Sequence, residues 1–349
     1  MQQTNFKRAG LLALCLSVIA ITSWEFSLRD KNMTPSYDDN EALWANKRGM
    51  VYEPKDQATV FIGSSRIKFD LDIPTWQSLT GNHAIQLANV GSSPRPVLED
   101  LANDKNFKGR LVVDVTEGLF FFPGMAFNDW MTKKKIGYYH DITPTQRFSF
   151  QVDRVLESQL VFLDQDNFSV NALLDHVKMP ERPGIFPNPL FPAEFDRTNF
   201  ARQSYMSPEF VADTNLQNQV KAIWMGFGRA NTVPPVSGAA LDSIINWVKF
   251  QADKIKARGG DVIFVRTPSS GPAIQGEKHG FPRAAYWDRL LSMTGCQGIY
   301  FEDYPAIAHF VCPEWSHLAP SDAVIYTKNL VKILREEKGW SFPKNSVSL

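Results

Sequence analysis

Two short motifs, far apart in the chain, carry residue types that could form a nucleophile and its base. A Gly-Ser-Ser motif ends at Ser65, and a Glu-Trp-Ser-His motif runs from Glu314 to His317. A serine hydroxyl is a poor nucleophile at neutral pH, so it needs a base within hydrogen-bond reach and a third group that orients the base. The spacing of Glu314 and His317 puts carboxylate and imidazole on one side of a helix or turn. We expect His317 to face Ser65 and Glu314 to orient His317, with Asp303 as the other candidate for the third group.

The serine motif follows an apolar run at residues 60–62, which predicts a buried parallel strand. Similar runs predict strands at 84–90, 109–115, 261–266 and 299–302, and helical periodicity is found at 241–256 and 320–334. Such alternation is typical of an α/β fold in which a mostly parallel sheet is covered by helices on both faces. Open sheets of this kind bind ligands at the carboxyl ends of their strands. Ser65 would lie at such an end.

The order of these motifs resembles that of the SGNH, or GDSL-like, hydrolase superfamily, whose four sequence blocks carry a serine, a glycine, an asparagine and a histidine. Ser65 matches the nucleophile and Gly91 matches the glycine of the second block. Glu314 and His317 match the last block, with glutamate in place of the usual aspartate. The resemblance implies a three-layer αβα fold with an SGNH/flavodoxin-like sheet, no cofactor, and an oxyanion hole that includes the backbone amides of Ser65 and Gly91.

The third block departs from the family pattern, because Thr116 and Glu117 stand where the family has Gly-x-Asn-Asp. The Thr116 hydroxyl could donate to an oxyanion, whereas an ionised Glu117 could only accept. The loss of one donor costs about 2–4 kcal/mol of transition-state stabilisation. We therefore expect Thr116, Arg66 or a backbone amide to replace the asparagine, or hydrolysis to be slow.

Three charged residues near the predicted strand ends are candidates for substrate binding: Arg66, Glu117 and Arg266. Two of them also have an alternative interpretation. Glu117 could pair with a nearby basic group, and Arg266 could pair with an acid instead of pointing into the pocket.

The N-terminal segment, residues 1–28, predicts a membrane anchor or a signal peptide. Lys7 and Arg8 precede an apolar run that ends near Trp24. As a helix this run would be about 24 Å long, slightly short of the roughly 30 Å hydrocarbon core of a bilayer. We favour an uncleaved anchor, and the positive-inside rule then places the following residues outside the cytoplasm, in the periplasm or at the cell surface.

Residues 29–57 predict a polar stalk, and residues 58–340 predict an SGNH-like domain with a largely helical insertion at about 120–236. The insertion could form a lid or a surface for substrate or a partner. It contains the basic triplet 133–135, which is more typical of a solvated face than of a binding site. Cys296 and Cys312 could form a disulfide in an oxidising compartment, or they could be two unrelated buried thiols.

Composition limits the possible partners. The chain has 37 basic and 37 acidic residues, and so lacks the positive charge expected of a nucleic-acid-binding protein. Scattered histidines and the lack of a Cys-x-x-Cys motif predict no metal site. Aromatic residues make up 12% of the chain, which slightly favours carbohydrate ligands.

The motifs and the predicted export together favour serine-dependent acyl transfer or ester hydrolysis. Resemblance to anchored proteins of the alginate-acetylating and D-alanyl-lipoteichoic-acid transfer types implies a cell-envelope or exported polysaccharide as substrate and a membrane-bound acyltransferase as partner. The alternative is a non-catalytic envelope protein that binds glycan or assists assembly. A hydrogen bond between Ser65 and His317 would favour the enzyme, whereas Arg66 or Glu117 between them would favour the binding protein.

Overall fold

A computed structural model describes residues 6–175, 177 and 189–343 of the 349-residue chain. The chain divides into two compact units. One comprises Met1–Asp38 and Pro144–Leu190, and the other comprises Asp39–Thr143 and Phe191–Leu349. The predicted domain boundaries, including the insertion at about 120–236, stay predictions.

The strands are β1 (Ala58–Ile62), β2 (His83–Gln86), β3 (Arg110–Asp114), β4 (Arg197–Thr198), β5 (Ser204–Tyr205), β6 (Asp261–Arg266) and β7 (Gln297–Tyr300). The helices are α1 (Phe6–Asp30), α2 (Glu41–Arg48), α3 (Ser65–Asp70), α4 (Ile73–Thr80), α5 (Arg95–Asn103), α6 (Glu117–Phe120), α7 (Asp129–Asp141), α8 (Pro144–Glu157), α9 (Gln165–Phe168), α10 (Val170–Asp175), α11 (Pro208–Ala212), α12 (Thr214–Ala230), α13 (Gly238–Ala257), α14 (Gly271–Gly280), α15 (Trp287–Thr294) and α16 (Pro320–Glu336).

The first unit contains α1, which has 25 residues and is long and apolar enough to cross a membrane. The helix is longer than the predicted apolar run at both ends, and its length is about 37 Å. A signal sequence near the N-terminus would have the same features. Near the end of α1, the Glu25 carboxylate accepts hydrogen bonds from the backbone N–H groups of Val161 and Phe162, each at 3.1 Å. These bonds tie α1 to the segment that follows α8.

The second unit contains a five-stranded sheet in the order β2-β1-β3-β6-β7, with all neighbouring strands parallel. Numbered by position among these strands, the order is 2-1-3-4-5, as in doubly wound flavodoxin-like sheets. Strands β1 and β3 are buried along their whole length, which explains the apolar runs at 60–62 and 111–113 within them. The prediction of an α/β fold with a parallel sheet is confirmed.

In the second unit the most extensive helix contact is between α2 and α7, and the next most extensive contacts fall in two further groups. Helix α13 packs on α5 and α15, and α16 packs on α3 and α4. Helix α2 packs on α7, and its Trp44 is fully buried, with the indole N–H donating to the Leu87 carbonyl at 3.2 Å. Part of the segment predicted to be a stalk therefore belongs to the core of this unit.

The predicted disulfide between Cys296 and Cys312 is wrong, because both residues are buried free thiols. Cys296 immediately precedes β7, whereas the Cys312 N–H donates to Ser270, beyond the carboxyl end of the neighbouring β6. The four residues of β7 alone extend about 13 Å, and a disulfide needs Cα atoms within about 7 Å. Burial raises the pKa of both thiols, which favours their protonated forms.

Gly63 lies between β1 and α3, where the end of β1 comes close to the end of β3. This close approach requires glycine. A Cβ atom at this position would lie 2.5 Å from Cβ of Asp114, at the end of β3, and 2.8 Å from Cγ2 of Ile67. Both neighbours are buried, so neither can move away freely. The turn before Ser65 can therefore be this tight only with glycine.

We predict that Gly63→Ala lowers the free energy of unfolding by about 1–3 kcal/mol, because the added methyl group overlaps the Asp114 side chain. Urea unfolding followed by far-UV circular dichroism measures the change. Gly137→Ala is the matched control, since Gly137 lies within α7 and has open space around its Cα atom. That control should be stabilised by about 0.5–1 kcal/mol. Unchanged stability of Gly63→Ala would contradict the prediction.

Candidate active site

Ser65 lies at the point where the strand order of the sheet reverses. Strand β1 has β2 on one side and β3 on the other, and ligand sites of open α/β sheets lie at this switch point. Ser65 is the first residue of α3 and is half-buried. Ser64 precedes the helix and accepts a hydrogen bond from the Arg66 N–H at 3.4 Å.

Ser65, His317 and Glu314 form a continuous hydrogen-bonded series. Ser65 Oγ lies 2.8 Å from His317 Nε2, and His317 Nδ1 lies 3.0 Å from Glu314 Oε1. An ionised carboxylate can only accept, so Nδ1 carries the proton and Nε2 is left to accept from the serine hydroxyl. Asp303, the alternative third group, is instead bound to Arg283 at 2.5 and 2.7 Å.

Glu314 is fully buried, and burial by itself would raise its pKa. The net shift is downwards, because the charge and hydrogen bonds of His317 and the indole N–H of Trp224 stabilise the carboxylate. Backbone N–H groups of Ser316 and His317 also donate to Oε1, at 3.2 and 2.6 Å. These donors hold Glu314 in its ionised form.

The segment carrying Glu314 and His317 is a tight turn and not a helix. Trp315, in its middle, has a φ angle of 80°, which is unfavourable for a bulky aromatic residue. Its backbone oxygen accepts a hydrogen bond from the Ser270 N–H at 2.9 Å, beyond the end of β6. A strained turn of this kind costs about 1–3 kcal/mol and persists only where its surroundings fix it.

Aromatic rings surround the His317 imidazole. The ring centroids of Phe69, Phe195 and Trp224 lie 4.5, 5.7 and 6.1 Å from its centroid. Phe69 and Phe195 belong to a small apolar cluster with Phe210. Because His317 is only 1% exposed, these rings restrict both its rotation and its contact with water.

Gly91 follows β2 and has a φ angle of 64°, in the region that favours glycine. A Cβ atom there would lie 2.7 Å from Nδ2 of Asn128. Asn89, two residues earlier, donates its backbone N–H to the Gly63 carbonyl at 3.1 Å, which places this loop beside the serine turn. Among the described residues, neither the Ser65 N–H nor the Gly91 N–H donates to another group. Both amides are therefore available to an oxyanion.

The Thr116 hydroxyl already makes hydrogen bonds to neighbouring side chains. It donates to Asp114 at 3.2 Å and shares a 2.6 Å hydrogen bond with Ser64. Burial raises the pKa of Asp114, and this is only partly offset by the charge of Arg66 and by hydroxyl donors such as Thr267. The Thr116 hydroxyl would have to leave Asp114 before it could donate to an oxyanion.

Arg66, Glu117 and Arg266 lie in one buried ionic cluster, together with Glu277 of α14. Both arginines bind Glu277, and Arg266 Nε lies 3.1 Å from Glu117 Oε1. Burial opposes ionisation of Glu277, but the two arginines lower its pKa to about 2. Two positive and two negative charges balance here. Arg266 and Glu117 therefore pair with charged neighbours, which is the alternative interpretation given for both residues.

The sequence did not identify Trp224 or Glu277 as part of this region. Trp224 lies on α12, within the segment interpreted only as a lid or a surface for substrate or a partner. No local spacing connects Trp224 to Glu314, which is 90 positions away. The high aromatic content was the one available signal, and it does not single out a residue.

Comparison with known proteins does not assign this site. No protein-family model matches the chain, and no curated protein matches it significantly. Within residues 6–175, 177 and 189–343, no group of three or more His, Cys, Asp or Glu side chains is arranged to hold a metal ion. The SGNH resemblance stays a prediction, and the function has to be argued from the geometry.

We predict that Trp224→Phe destabilises the protein by about 1–3 kcal/mol at pH 7, because a buried carboxylate loses a donor. The lowered pKa of Glu314 contributes stability that is present above the unfolded value of about 4.3 and lost as the pH falls through the folded value. The loss in Trp224→Phe should therefore shrink in acid. Unfolding free energies measured between pH 7 and pH 3 test this.

The control for Trp224→Phe is Trp130→Phe, at a position that is 58% exposed. This control should change the unfolding free energy by less than about 0.5 kcal/mol. A loss in Trp224→Phe that stays the same at every pH would mean that packing, and not the hydrogen bond to Glu314, is responsible.

Proposed function

We propose that this protein is a serine-dependent enzyme that transfers or hydrolyses acyl esters. The observation that carries the proposal is the 2.8 Å contact between Ser65 Oγ and His317 Nε2, with Glu314 bound to the other ring nitrogen. A nucleophile that contacts its base, with the base held by a third group, is the arrangement that activates a serine.

In the proposed reaction, Ser65 Oγ attacks the acyl carbonyl carbon while His317 Nε2 takes the hydroxyl proton. The tetrahedral oxyanion accepts hydrogen bonds from the backbone N–H groups of Ser65 and Gly91. Collapse breaks the ester bond, and His317 returns the proton to the departing alcohol. An incoming hydroxyl, from water or from a sugar, then gives its proton to His317 and attacks the acyl-serine. The bond between the acyl carbon and Ser65 Oγ breaks, and His317 returns the proton to Ser65 Oγ. Glu314 stabilises the imidazolium in both halves.

The proposed fold is the three-layer SGNH arrangement, supported by the parallel sheet and by two separate groups of packed helices. The proposed location is outside the cytoplasm, tethered by α1, because Lys7 and Arg8 precede the apolar part of that helix. A cell-envelope or exported polysaccharide remains the proposed substrate, with a membrane-bound acyltransferase as partner. Both rest on the motif resemblance.

The alternative, a non-catalytic glycan-binding or assembly protein, would be favoured if a charged side chain separated Ser65 from His317. Arg66 instead binds Glu277 and Ser316, and Glu117 binds Arg266. Neither lies between the serine and the histidine, which are in direct contact. The geometry therefore supports the enzyme over the binding protein.

We predict that a fluorophosphonate probe forms one covalent adduct with the full-length protein and that Ser65→Ala abolishes it. His317→Ala should slow labelling by roughly a thousandfold or more, because the hydroxyl loses its base. Intact-mass spectrometry over time measures both effects. Ser64→Ala is the matched control, since it retains Ser65 and loses a helix cap and the hydrogen bonds of its hydroxyl to Thr116 and Asp114. Equal labelling of the wild-type and Ser65→Ala proteins would refute the proposal.

We predict that, with p-nitrophenyl acetate as donor, the acyl group passes to an added oligosaccharide as well as to water. A hydroxyl bound beside the acyl-serine has an effective concentration far above that of free solute. Mass spectrometry of the oligosaccharide detects the transfer, with Ser65→Ala as control for uncatalysed acetylation. Acetate as the single product with every acceptor tried would make the protein an esterase.

A further inference from the structure

A second buried group of charges lies beside the serine turn, at the carboxyl end of β2. Its members are Asp39, Lys68, Lys135, Arg202 and Asn89. Asp39 forms an ion pair with Lys68 Nζ at 3.0 Å, and it accepts hydrogen bonds from Lys135 Nζ at 3.1 Å and from Arg202 Nε at 2.5 Å. Lys135 is the last residue of the basic triplet expected to be solvated, but it is only 6% exposed.

Positive charge exceeds negative charge in this group. Three cations surround one carboxylate, and Lys68, Lys135 and Arg202 are 1%, 6% and 0% exposed. Burial lowers the pKa of Lys135 to about 8, with the charges of Arg202 and Lys68 acting in the same direction and Asp39 acting against them. Glu41, whose charge also interacts with Lys135, pairs with the exposed Lys134 at 2.7 Å. The group is therefore incompletely neutralised by the protein itself.

Asn89 provides an independent sign of a missing acceptor. Its Oδ1 accepts from Lys135 Nζ at 3.3 Å and from Arg202 Nη2 at 3.1 Å, so the carboxamide lies within the group. Its Nδ2 is buried and has no hydrogen-bond partner, and the residue is 5% exposed. A buried donor without a partner costs about 1–3 kcal/mol. Both the excess charge and the unpaired N–H would be satisfied by an anion.

The scaffold of this group is itself under strain. Arg202 has a φ angle of 64°, in the hairpin between β4 and β5, where a non-glycine residue is unfavourable. Its guanidinium donates to the carbonyls of Gln86 and Ala88, at 2.8 and 3.0 Å. These bonds fix the loop that carries both Asn89 and Gly91. On the other side, Lys68 lies three residues after Ser65, so the two are neighbours on α3.

We propose that Lys68, Lys135 and Asn89 form an oxyanion-binding site, with Arg202 and Asp39 as its scaffold. The ligand is a phosphate-like group, whose oxygens accept from two ammonium groups and from the Asn89 N–H. Two sources of this group are distinguished by the experiment: free inorganic phosphate, and a phosphate substituent on the sugar that reacts at Ser65.

Thermal unfolding of the full-length protein in increasing inorganic phosphate, at constant ionic strength set with NaCl, tests the site without requiring enzyme activity. We predict a saturable rise in Tm, because a ligand that binds only the folded state stabilises it. Asn89→Asp should weaken phosphate binding at least tenfold, since it replaces the unpaired donor by an acceptor and adds a negative charge. The same variant should raise Tm without phosphate, which a merely damaged fold would not do.

Lys135→Met should also weaken phosphate binding at least tenfold, and Lys134→Met is its matched control. Lys134 is the preceding residue, 64% exposed in its side chain and paired with Glu41, and its replacement should leave the phosphate affinity unchanged. No saturable rise in Tm for the wild type, or equal phosphate affinity in the wild type and Asn89→Asp, would overturn the proposal.

A second arm identifies the source of the anion. The wild type is given an O-acetylated hexose and the same hexose bearing a phosphate group. A kcat/KM at least tenfold higher for the phosphorylated sugar, lost in Asn89→Asp and kept in Lys134→Met, assigns the site to a substrate substituent. Equal kcat/KM values with phosphate binding intact assign it to free phosphate. Phosphate binding in a protein whose Ser65 does not react with fluorophosphonate would refute the serine chemistry and leave the anion site standing.

Discussion

Glu314 is a fully buried carboxylate whose donors lower its pKa, and the geometry around Ser65 follows from how its charge is satisfied. Donors reach it from its own turn, through the backbone of Ser316 and His317, and from a distant helix, through the Trp224 indole. A buried charge without such partners would cost several kcal/mol. Because Glu314 also accepts from His317 Nδ1, the same charge sets the tautomer and the direction of the imidazole. Ser65 then meets the one ring nitrogen that can take its proton.

The turn that carries this carboxylate is strained, and packed side chains and a hydrogen bond hold it in place. Trp315 adopts an unfavourable backbone conformation so that Glu314 and His317 can face each other across a short turn. Aromatic rings on one side and the end of β6 on the other hold that turn in place. These packing and hydrogen-bonding interactions offset the free-energy cost of the strain, which is typical of a functional site. On the serine side, glycine at position 63 allows the equally tight turn that presents the hydroxyl.

The two ionic groups near the sheet edge differ in their balance of positive and negative charges. Arg66, Arg266, Glu117 and Glu277 neutralise one another, so this group holds α14 against the strand ends and leaves no charge for a ligand. The group around Asp39 has more cations than carboxylates and a buried N–H without a partner. Buried charges are retained where they are paired. The first group balances its charges internally, although Arg66 Nη1 and Glu117 Oε2 are buried without a hydrogen-bond partner among the described residues. The second group balances its charge only with an anion from outside.

Local sequence patterns were sufficient for the parallel sheet, for the apolar N-terminal helix and for the positions of Ser65, Glu314 and His317. These features depend on residue periodicity and on spacings of a few residues, which a linear chain displays directly. The bounds of two strands differ from the prediction. The strand expected at 84–90 ends at Gln86, and the strand expected at 299–302 lies at Gln297–Tyr300.

Tertiary structure alone decided that Trp224 reaches Glu314, that Glu277 binds both arginines and that Lys135 is buried while Lys134 is exposed. It also decided that Cys296 lies just before β7 whereas Cys312 lies beyond the carboxyl end of β6. Each of these depends on segments far apart in sequence that meet only when the sheet has formed. Hydrogen bonding and charge pairing act over a few ångströms in space, and sequence separation does not encode that distance.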